Sequence, residues 1–434
     1  MNVHLAYGKK GLDVNLPDRN LVKVMTMPAA EPLSNPDSEI ARALQDPTGS
    51  PPLRALAQKA GSACVVICDV TRPAPNKIIL PHIFQVLEEN GIARKNITVL
   101  VATGLHRPSK PEELEEMVGS DIQQRYRIVD HHARIIEEQQ YLGKTSRNTP
   151  VYIDKEYCKA DLKITTGFIE PHLMAGFSGG RKMVAPGCAG ELTIKALHSP
   201  FFLENPMCKE GSIENNPLHH ELLEIARMAG HDFILNVAMN ESGKITGVFA
   251  GNPIQAHEVG VAHVRHSVRS TVREPVDIVI TTSAGYPLDL TFYQSVKGMT
   301  AALPIVKKGG MLIIAAECAE GLGSDEFCDM AARFESAEAF LQTILSNPVV
   351  LDQWQLEECA KAARKVDVVL VSSGIPAGYR DKLFVRMSDT VESALQQGLA
   401  RYSDDATVAV IPKGPYTLVD VGGGEAEVSG DLSQ

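Results

Sequence analysis

The sequence predicts an α/β protein made of two domains with mainly parallel sheets. Short apolar segments rich in β-branched residues alternate with longer helical segments, and this alternation favours parallel pairing through βα units. A chain of 434 residues is too long for one ordinary core. We therefore expect an N-terminal domain over residues 1–270 and a C-terminal doubly wound domain over 271–434, with a cleft between them.

The N-terminal domain is predicted to begin with a β-hairpin over residues 3–17, where the pattern alternates around Gly-Lys-Lys-Gly. A helical region interrupted by two prolines follows. The next elements are a strand at 64–69, a helix at 79–90 and a strand at 97–102. Both strands end in loops that contain Gly or Pro, and ligands of open α/β sheets bind at such carboxyl ends.

The C-terminal domain is predicted from four further strands. They lie at 276–282, 310–316, 366–372 and 406–411, and a helix follows the first of them from about residue 289. The segment 255–273 is helical and then polar, which makes it the expected domain boundary. The acidic, Gly-rich tail from about 420 to 434 is expected to be flexible.

The composition excludes several classes of partner. The net charge is −11 and no basic block is present, so we expect no nucleic-acid partner. No apolar run reaches the roughly 20 residues of a membrane span, and the first ten residues lack a signal-peptide core, so we expect no membrane partner and a cytoplasmic location. The eight cysteines are scattered without a Cys-x-x-Cys pair, which is typical of buried thiols in a reducing compartment.

The Gly-rich segment 166–187 is the strongest indication of a site. His172 lies ten residues before Lys182, and His198 follows sixteen residues after it. Glycines let the backbone approach a ligand, lysine can bind an anionic or electrophilic group, and histidine can carry protons or bind a metal. The segment is not a P-loop, because Arg181 stands where the second glycine is needed. A cofactor site is predicted here, and a plain surface connection is the alternative.

Two loops at predicted strand ends carry further candidates. Asp69, Thr71 and Arg72 place a carboxylate, a hydroxyl and a guanidinium on one turn, a set that suits an anion, although an Asp–Arg pair that only holds the turn is the alternative. His106 lies in the Gly- and Pro-containing loop after residue 102. With His172 it could form an acid–base pair, as the inversion of a stereocentre requires, but the spacing does not show that the two converge.

Three other patterns have a functional and a structural interpretation. Tyr293, Gln294 and Lys297 can share one helix face and bind an anion, or they can be solvated and half-buried. His198 ends the predicted helix 191–198, where an interaction with the helix dipole is the alternative. Asp130-His131-His132 is similar to a motif of metal-dependent phosphoesterases, but the other Asp-rich motifs of that family are missing, and a loop is preferred.

Taken together, these motifs resemble the nickel-pincer lactate racemase family of 2-hydroxyacid racemases and epimerases. The resemblance extends from the N-terminal hairpin to about residue 415. The motifs that carry it, in chain order, are Asp69-Val-Thr-Arg72-Pro, Thr-Gly-Leu-His106-Arg-Pro, the block His172…Lys182…His198, Tyr-Gln-Ser-Val-Lys297 and Glu317-Cys-Ala-Glu-Gly-Leu-Gly.

The resemblance implies a nickel-pincer nucleotide cofactor, Ni(II)-pyridinium-3,5-bisthiocarboxylate mononucleotide. Lys182 matches the lysine that tethers it, and His198 matches the protein ligand of the metal, a role that imidazole suits. The remaining matched roles are nucleotide binding by Asp69, Val70, Thr71 and Arg72, proton transfer by His106 and His172, and substrate binding by Arg72, Tyr293, Gln294 and Lys297.

The implied reaction is racemisation or epimerisation of a small, lactate-like 2-hydroxyacid by transient hydride transfer to the cofactor, with the two histidines moving the hydroxyl proton. The family also implies separate cofactor maturation enzymes as partners, and the oligomeric state stays open. Two alternatives remain: a metal-dependent hydrolase or isomerase that uses Asp130, His131 and His132, and a non-catalytic nucleotide-binding member.

Overall fold

The computed structural model describes residues 1–72 and 74–422, so Pro73 and most of the predicted flexible tail lie outside the described residues. The chain forms two compact units. The central unit is Ala29–Ser267, and the split unit combines Met1–Pro28 with the chain from Val268 onward. No described helix has the length and apolar character to cross a membrane.

The strands and helices alternate along most of the chain. The strands are, in order, β1 (Asn2–Leu5), β2 (Leu12–Asn15), β3 (Leu21–Val24), β4 (Ala63–Cys68), β5 (Ile97–Ala102), β6 (Arg127–Asp130), β7 (Gln139–Lys144), β8 (Pro150–Asp154), β9 (Leu162–Phe168), β10 (Pro171–His172), β11 (Gly176–Phe177), β12 (Phe233–Met239), β13 (Ile245–Gly251), β14 (Arg269–Val272), β15 (Val276–Thr282), β16 (Val306–Ala315), β17 (Asp367–Val371), β18 (Arg386–Ser388), β19 (Val408–Ile411) and β20 (Leu418–Val421). The helices are α1 (Pro36–Gln45), α2 (Leu53–Ala57), α3 (Asn76–Glu89), α4 (Pro111–Val118), α5 (Ser120–Arg125), α6 (Lys155–Lys159), α7 (Glu191–Leu197), α8 (Pro200–Leu203), α9 (Pro217–Ala229), α10 (Gln255–Val268), α11 (Phe292–Ala302), α12 (Asp325–Arg333), α13 (Ala337–Ser346), α14 (Gln353–Lys365) and α15 (Val391–Tyr402).

The central unit is built on a six-stranded sheet in the order β13-β12-β9-β4-β5-β6. All neighbours are parallel except β12 and β13, which are antiparallel. Every residue of β4 is buried, as expected for a parallel strand covered on both faces. Helices such as α3, which contributes buried Ile79, Ile83 and Leu87, supply that cover.

The split unit is built on a fully parallel sheet in the order β18-β17-β16-β15-β19-β3. Alternate residues of β15 enter different cores. Val279 packs with Phe292 and Val296 of α11, whereas Ile278 and Ile280 belong to a second core on the other face. The predicted α/β class with mainly parallel sheets is confirmed in both units.

The N-terminal hairpin and β3 are part of the split unit. β1 pairs with β2 as predicted, and the hairpin places Val3, Leu5, Val14 and Leu16 in the second core of the split unit. β3 extends the same sheet by pairing with β19. The predicted division at residue 270 therefore differs from the structure for the first 28 residues, because the hydrophobic alternation of the hairpin does not reveal which distant sheet it will cover.

Candidate active site

The carboxyl ends of β4 and β5 bring Asp69 and His106 together. The two strands are parallel neighbours with Cys68 opposite Ala102, so the loops that follow them leave the same edge of the sheet. His106 Nδ1 lies 2.6 Å from Asp69 Oδ2. The carboxylate is buried, while the imidazole is 58% exposed and can reach a ligand.

The Asp69 carboxylate is held in its ionised form. Burial raises its pKa, but hydrogen bonding to His106, the charge of that ring, a bond from Thr71 and the charge of Arg72 outweigh this and lower it overall. The Thr71 hydroxyl donates to Asp69 Oδ1 at 2.7 Å. The expected alternative of an Asp69–Arg72 pair is not what forms, because the Arg72 guanidinium instead lies 3.7 Å from the carboxylate of Glu170.

His172 lies in the Gly-rich segment after β9 and has the opposite kind of partner. Its Nδ1 accepts hydrogen bonds from the backbone N–H groups of Met174 and Ala175 at 3.3 and 3.2 Å. A neutral imidazole with an accepting Nδ1 carries its proton on Nε2. In His106, by contrast, Nδ1 donates to Asp69 and Nε2 is the basic nitrogen. The two predicted acid–base residues are therefore polarised in opposite senses.

The segment that carries His172 and Lys182 is fixed by buried polar contacts. The Ser178 hydroxyl donates to Phe168 O at 2.9 Å and accepts from Glu170 N at 2.9 Å. Gly180 N donates to Asn236 Oδ1 at 2.8 Å. Gly180 has φ +51 and a Cβ there would meet the His257 ring, so the close approach requires glycine. Lys182 then lies on the short 3-10 helix Gly180–Met183.

His198 follows α7, the helix that the sequence predicted before Pro200. Burial lowers the pKa of its imidazole to about 4, with a smaller contribution from the positive charge of Lys182. Its Nδ1 lies 2.8 Å from Ile194 O, to which it donates. The ring is therefore neutral at physiological pH with its lone pair on Nε2, which is the form that binds a metal.

Three of the four predicted substrate residues, all except Arg72, lie on the first turns of α11 in the split unit. Lys297 Nζ donates to Gln294 Oε1 at 2.6 Å, so these two side chains share one face as predicted. The Tyr293 hydroxyl accepts a hydrogen bond from Trp354 Nε1 at 2.9 Å, and burial raises its pKa. Sequence reasoning missed Trp354, although it is the only tryptophan of the chain and could have been singled out for that reason.

The Asp130-His131-His132 alternative is not supported by the structure. The His131 ring is buried. Its Nδ1 lies 2.8 Å from Asp154 and its Nε2 lies 2.9 Å from Ala189 O, so both ring nitrogens are hydrogen-bonded within the protein. Both carboxylate oxygens of Asp130 accept hydrogen bonds from Ser109, one from its backbone N–H at 3.1 Å and one from its hydroxyl at 2.8 Å. Within residues 1–72 and 74–422, no group of three His, Cys, Asp or Glu side chains is arranged to hold a metal ion.

Comparisons with known proteins agree with this architecture. A family model described as the lactate racemase N-terminal domain matches residues 7–211, and the lactate racemase C-terminal domain matches residues 271–419. The lactate racemase of Thermoanaerobacterium thermosaccharolyticum is 34% identical over 423 residues, covering 96% of this chain and 99% of its own length. The lactate racemase of Lactiplantibacillus plantarum is 35% identical with the same coverage.

Solved structures give the same result. The lactate racemase apoprotein from Thermoanaerobacterium thermosaccharolyticum superposes with a TM-score of 0.91 at 34% identity, covering 96% of this chain and all of that one. A Thermotoga maritima protein shares the fold at a TM-score of 0.66 and 19% identity. The α/β units and their full-length matches define the protein as an isomerase of the racemase class. The chain belongs to the lactate racemase family.

Proposed function

We propose that this enzyme racemises lactate, or a closely similar short 2-hydroxyacid, with a nickel-pincer nucleotide cofactor. The observation that carries the proposal is the opposite polarisation of the His106 and His172 rings, since one ring can accept the hydroxyl proton of a substrate and the other can donate a hydrogen bond to the same oxygen. The choice of lactate is supported by the relatives, which are lactate racemases over nearly the whole length of this chain.

The residues of the central unit fit such a cofactor. His198 offers a neutral imidazole whose Nε2 lone pair suits Ni(II), and Lys182 lies close enough for its charge to affect that ring. We assign Lys182 as the tether and His198 as the metal ligand. Because the Asp69 carboxylate is already bonded to His106 and Thr71, anion binding by this turn falls mainly to the Arg72 guanidinium and the exposed backbone of Val70 and Thr71.

When bound, the cofactor would supply an acceptor and donor for the hydride of the substrate Cα, so that the substrate is transiently a planar 2-oxoacid. The protein moves the proton. His106 Nε2 accepts the hydroxyl proton while Asp69 stabilises the resulting imidazolium. His172 Nε2–H donates a hydrogen bond to the substrate oxygen, and the proton held on His106 returns to that oxygen once the opposite face has been reduced. Each histidine therefore ends the cycle in the protonation state in which it began, and the same steps serve either enantiomer.

The substrate carboxylate needs a fixed cationic partner while the carbonyl end reorients. Lys297 supplies the charge, and Gln294 holds its ammonium group at 2.6 Å, so the two side chains act as one binding pair. Arg72 offers a guanidinium, a group that can bind a carboxylate through two hydrogen bonds. The Tyr293 side chain is held by the hydrogen bond from Trp354 and limits the space beside the pair.

The proposal is tested on protein co-produced with the cofactor maturation enzymes, beside a Lys182→Ala variant. We expect the wild-type protein to carry a covalent adduct and about one nickel per chain, and to interconvert D- and L-lactate. The variant should lose the adduct and most of the nickel. Intact-mass spectrometry, metal analysis and chiral chromatography provide the measurements.

The other outcomes have distinct meanings. If the wild-type protein holds nickel and the adduct but leaves lactate unchanged, the result would indicate that the substrate is another 2-hydroxyacid. A protein that binds the nucleotide yet alters no 2-hydroxyacid would establish the non-catalytic alternative. Nickel and adduct that persist in Lys182→Ala would show that the tether has been assigned to the wrong lysine.

A further inference from the structure

A buried aspartate, Asp289, connects three segments of the split unit. It lies between β15 and α11 and is 1% exposed. Its Oδ2 accepts hydrogen bonds from Gly8 N at 2.7 Å and from Glu317 N at 3.1 Å. Its backbone carbonyl accepts from Cys318 N at 2.8 Å. One residue therefore joins the N-terminal hairpin turn and the loop after β16 to the chain that enters α11.

The loop after β16 in turn determines where α11 begins. Gly321 O accepts from Phe292 N and Leu322 O accepts from Tyr293 N, both at 2.9 Å. These are N–H groups of the first helical turn, which have no partner within the helix itself. The Thr291 hydroxyl accepts from Gln294 N at 3.3 Å and completes the cap. The start and rotation of α11 thus depend on a loop that Asp289 holds.

Gly8 allows the hairpin turn to reach this loop. It has φ +49, a conformation that glycine adopts without the steric cost of a side chain. A Cβ at this position would collide with the carboxylate of Glu317. The turn is also fixed by Tyr286 N, which donates to Gly8 O at 2.9 Å. Hairpin, loop and helix entry form one hydrogen-bonded assembly around Asp289.

We propose that Asp289 is a positioning residue for the carboxylate-binding pair Gln294 and Lys297, an inference that rests on the proposed function. Asp289 does not touch the substrate. It fixes the loop that sets the first turns of α11, and those turns carry the pair. In this arrangement the Glu317-Cys-Ala-Glu-Gly-Leu-Gly motif and the N-terminal Tyr-Gly-Lys-Lys-Gly turn share one role, which is to hold the first turns of α11 in place.

Hydrogen bonding, rather than charge, is the basis of this role. Oδ2 makes both bonds, whereas the buried Oδ1 has no hydrogen-bond partner among the residues that the structure describes. An asparagine can place its carbonyl oxygen at the Oδ2 position and its amide nitrogen at the Oδ1 position. Asp289→Asn should therefore preserve the assembly, and Asp289→Ala should release it.

The test compares the two variants as cofactor-loaded enzymes. We expect Asp289→Ala to raise the KM for lactate about tenfold or more with a smaller loss of kcat, because substrate binding is weakened before and during the reaction. Asp289→Asn should stay within about threefold of the wild-type KM, since its two hydrogen bonds can be retained. Nickel content and the Lys182 adduct should remain at the wild-type level in both.

Hydrogen exchange provides a readout that does not depend on activity. In Asp289→Ala the amides of residues 292–297 should exchange faster than in the wild-type protein, and Asp289→Asn should restore their protection. If Asp289→Ala fails to fold, Gly8→Ala tests the same assembly, because its added Cβ would meet the Glu317 carboxylate, and either that side chain or the hairpin turn must shift. Gly11→Ala is the matched control: Gly11 lies in the same turn and also has positive φ, but its Cβ would meet the His4 ring and Leu5 O and not the loop that carries Glu317.

An unchanged KM and unchanged exchange in Asp289→Ala would overturn the positioning role and leave the racemase proposal intact. Loss of function in Asp289→Asn as well would overturn the hydrogen-bonding basis and point to a need for the charge itself. If the wild-type enzyme racemises no 2-hydroxyacid, the proposed function fails, and the exchange comparison still decides whether Asp289 controls α11.

Discussion

Two histidines of the central unit have opposite partners at the same ring atom. His106 Nδ1 faces the buried carboxylate of Asp69, and His172 Nδ1 faces two backbone N–H groups. The partner of Nδ1 determines which proton state Nε2 adopts. A single substitution at Asp69 should therefore be enough to disturb the pair.

Asp69→Asn should lower kcat for both directions of racemisation by roughly 10²–10⁴. The amide can donate to His106 Nδ1, which would move the ring proton from Nδ1 to Nε2 and remove the basic nitrogen, and it cannot balance the charge of an imidazolium. Steady-state rates at wild-type nickel content provide the measurement. Asp13→Asn is a matched control, since Asp13 and His4 form a similar 2.8 Å pair on the surface of the hairpin. Equal rates for Asp69→Asn and the wild-type protein would exclude this role.

At the residue scale, the sequence indicated candidate side chains and the loops that carry them, but it did not predict their partners. The loops that carry Asp69 and His106 were recognised because both follow predicted strands. That the two side chains meet depends on β4 and β5 being neighbours, and spacing along the chain does not contain this information. The pairing of Arg72 with Glu170 in place of the alternative Asp69–Arg72 pair shows the same limit, as does the unrecognised Trp354–Tyr293 contact, because each depends on long-range packing.

The element that carries Lys182 is a 3-10 turn organised around a buried arginine. Arg181 is 1% exposed, and burial lowers its pKa to about 9. Its guanidinium donates to Ala175 O at 2.7 Å and to Gly179 O at 3.4 Å, and it lies 3.0 Å from His257 Nε2. From the sequence, Arg181 served only to exclude a P-loop. Its burial could not be foreseen, because arginine is usually a surface residue.

Arg181→Met should lower activity with little loss of stability. Removing a buried cation recovers part of its desolvation cost. The two carbonyls each lose one donor but keep a backbone N–H partner, Phe177 N at 3.0 Å for Ala175 O and Lys182 N at 3.1 Å for Gly179 O, so stability should change little. The loop between His172 and Lys182 nevertheless loses the donor that joins its ends. We expect Tm to change by less than about 5 °C and kcat to fall about tenfold or more. A variant with wild-type kcat would show that the Arg181 bonds do not position the loop.

On the scale of the whole molecule, the two units differ sharply in histidine content. Twelve of the thirteen histidines lie between residues 29 and 267, in the central unit, and His4 is the exception. Burial lowers the pKa of several of them: His198 to about 4, His219 and His231 to about 3, and His257 well below its usual range. The fold class could be anticipated from the sequence, but the strand order and this clustering of buried neutral rings required the structure.

The buried histidines should make the central unit sensitive to mild acid. In the unfolded chain these rings take up protons below about pH 6.5, whereas in the folded unit they stay neutral to pH values nearer 4 or 3. Their contribution to stability is therefore complete above about pH 6.5 and is lost as the pH falls towards the folded values. The split unit has no histidine except the exposed His4 and should change little between pH 7 and 5.

Urea unfolding followed by two probes can separate the units. Trp354, the only tryptophan, lies in the split unit, so its fluorescence reports that unit, while far-ultraviolet circular dichroism reports both. At pH 7 the two transitions should lie close together. At pH 5 the dichroism should show an early transition that precedes the fluorescence change, since each buried neutral histidine costs up to about 1.4 kcal/mol per pH unit in this window. If acid shifted the fluorescence transition as far as the dichroism transition, the histidines of the central unit would not be the cause of the sensitivity.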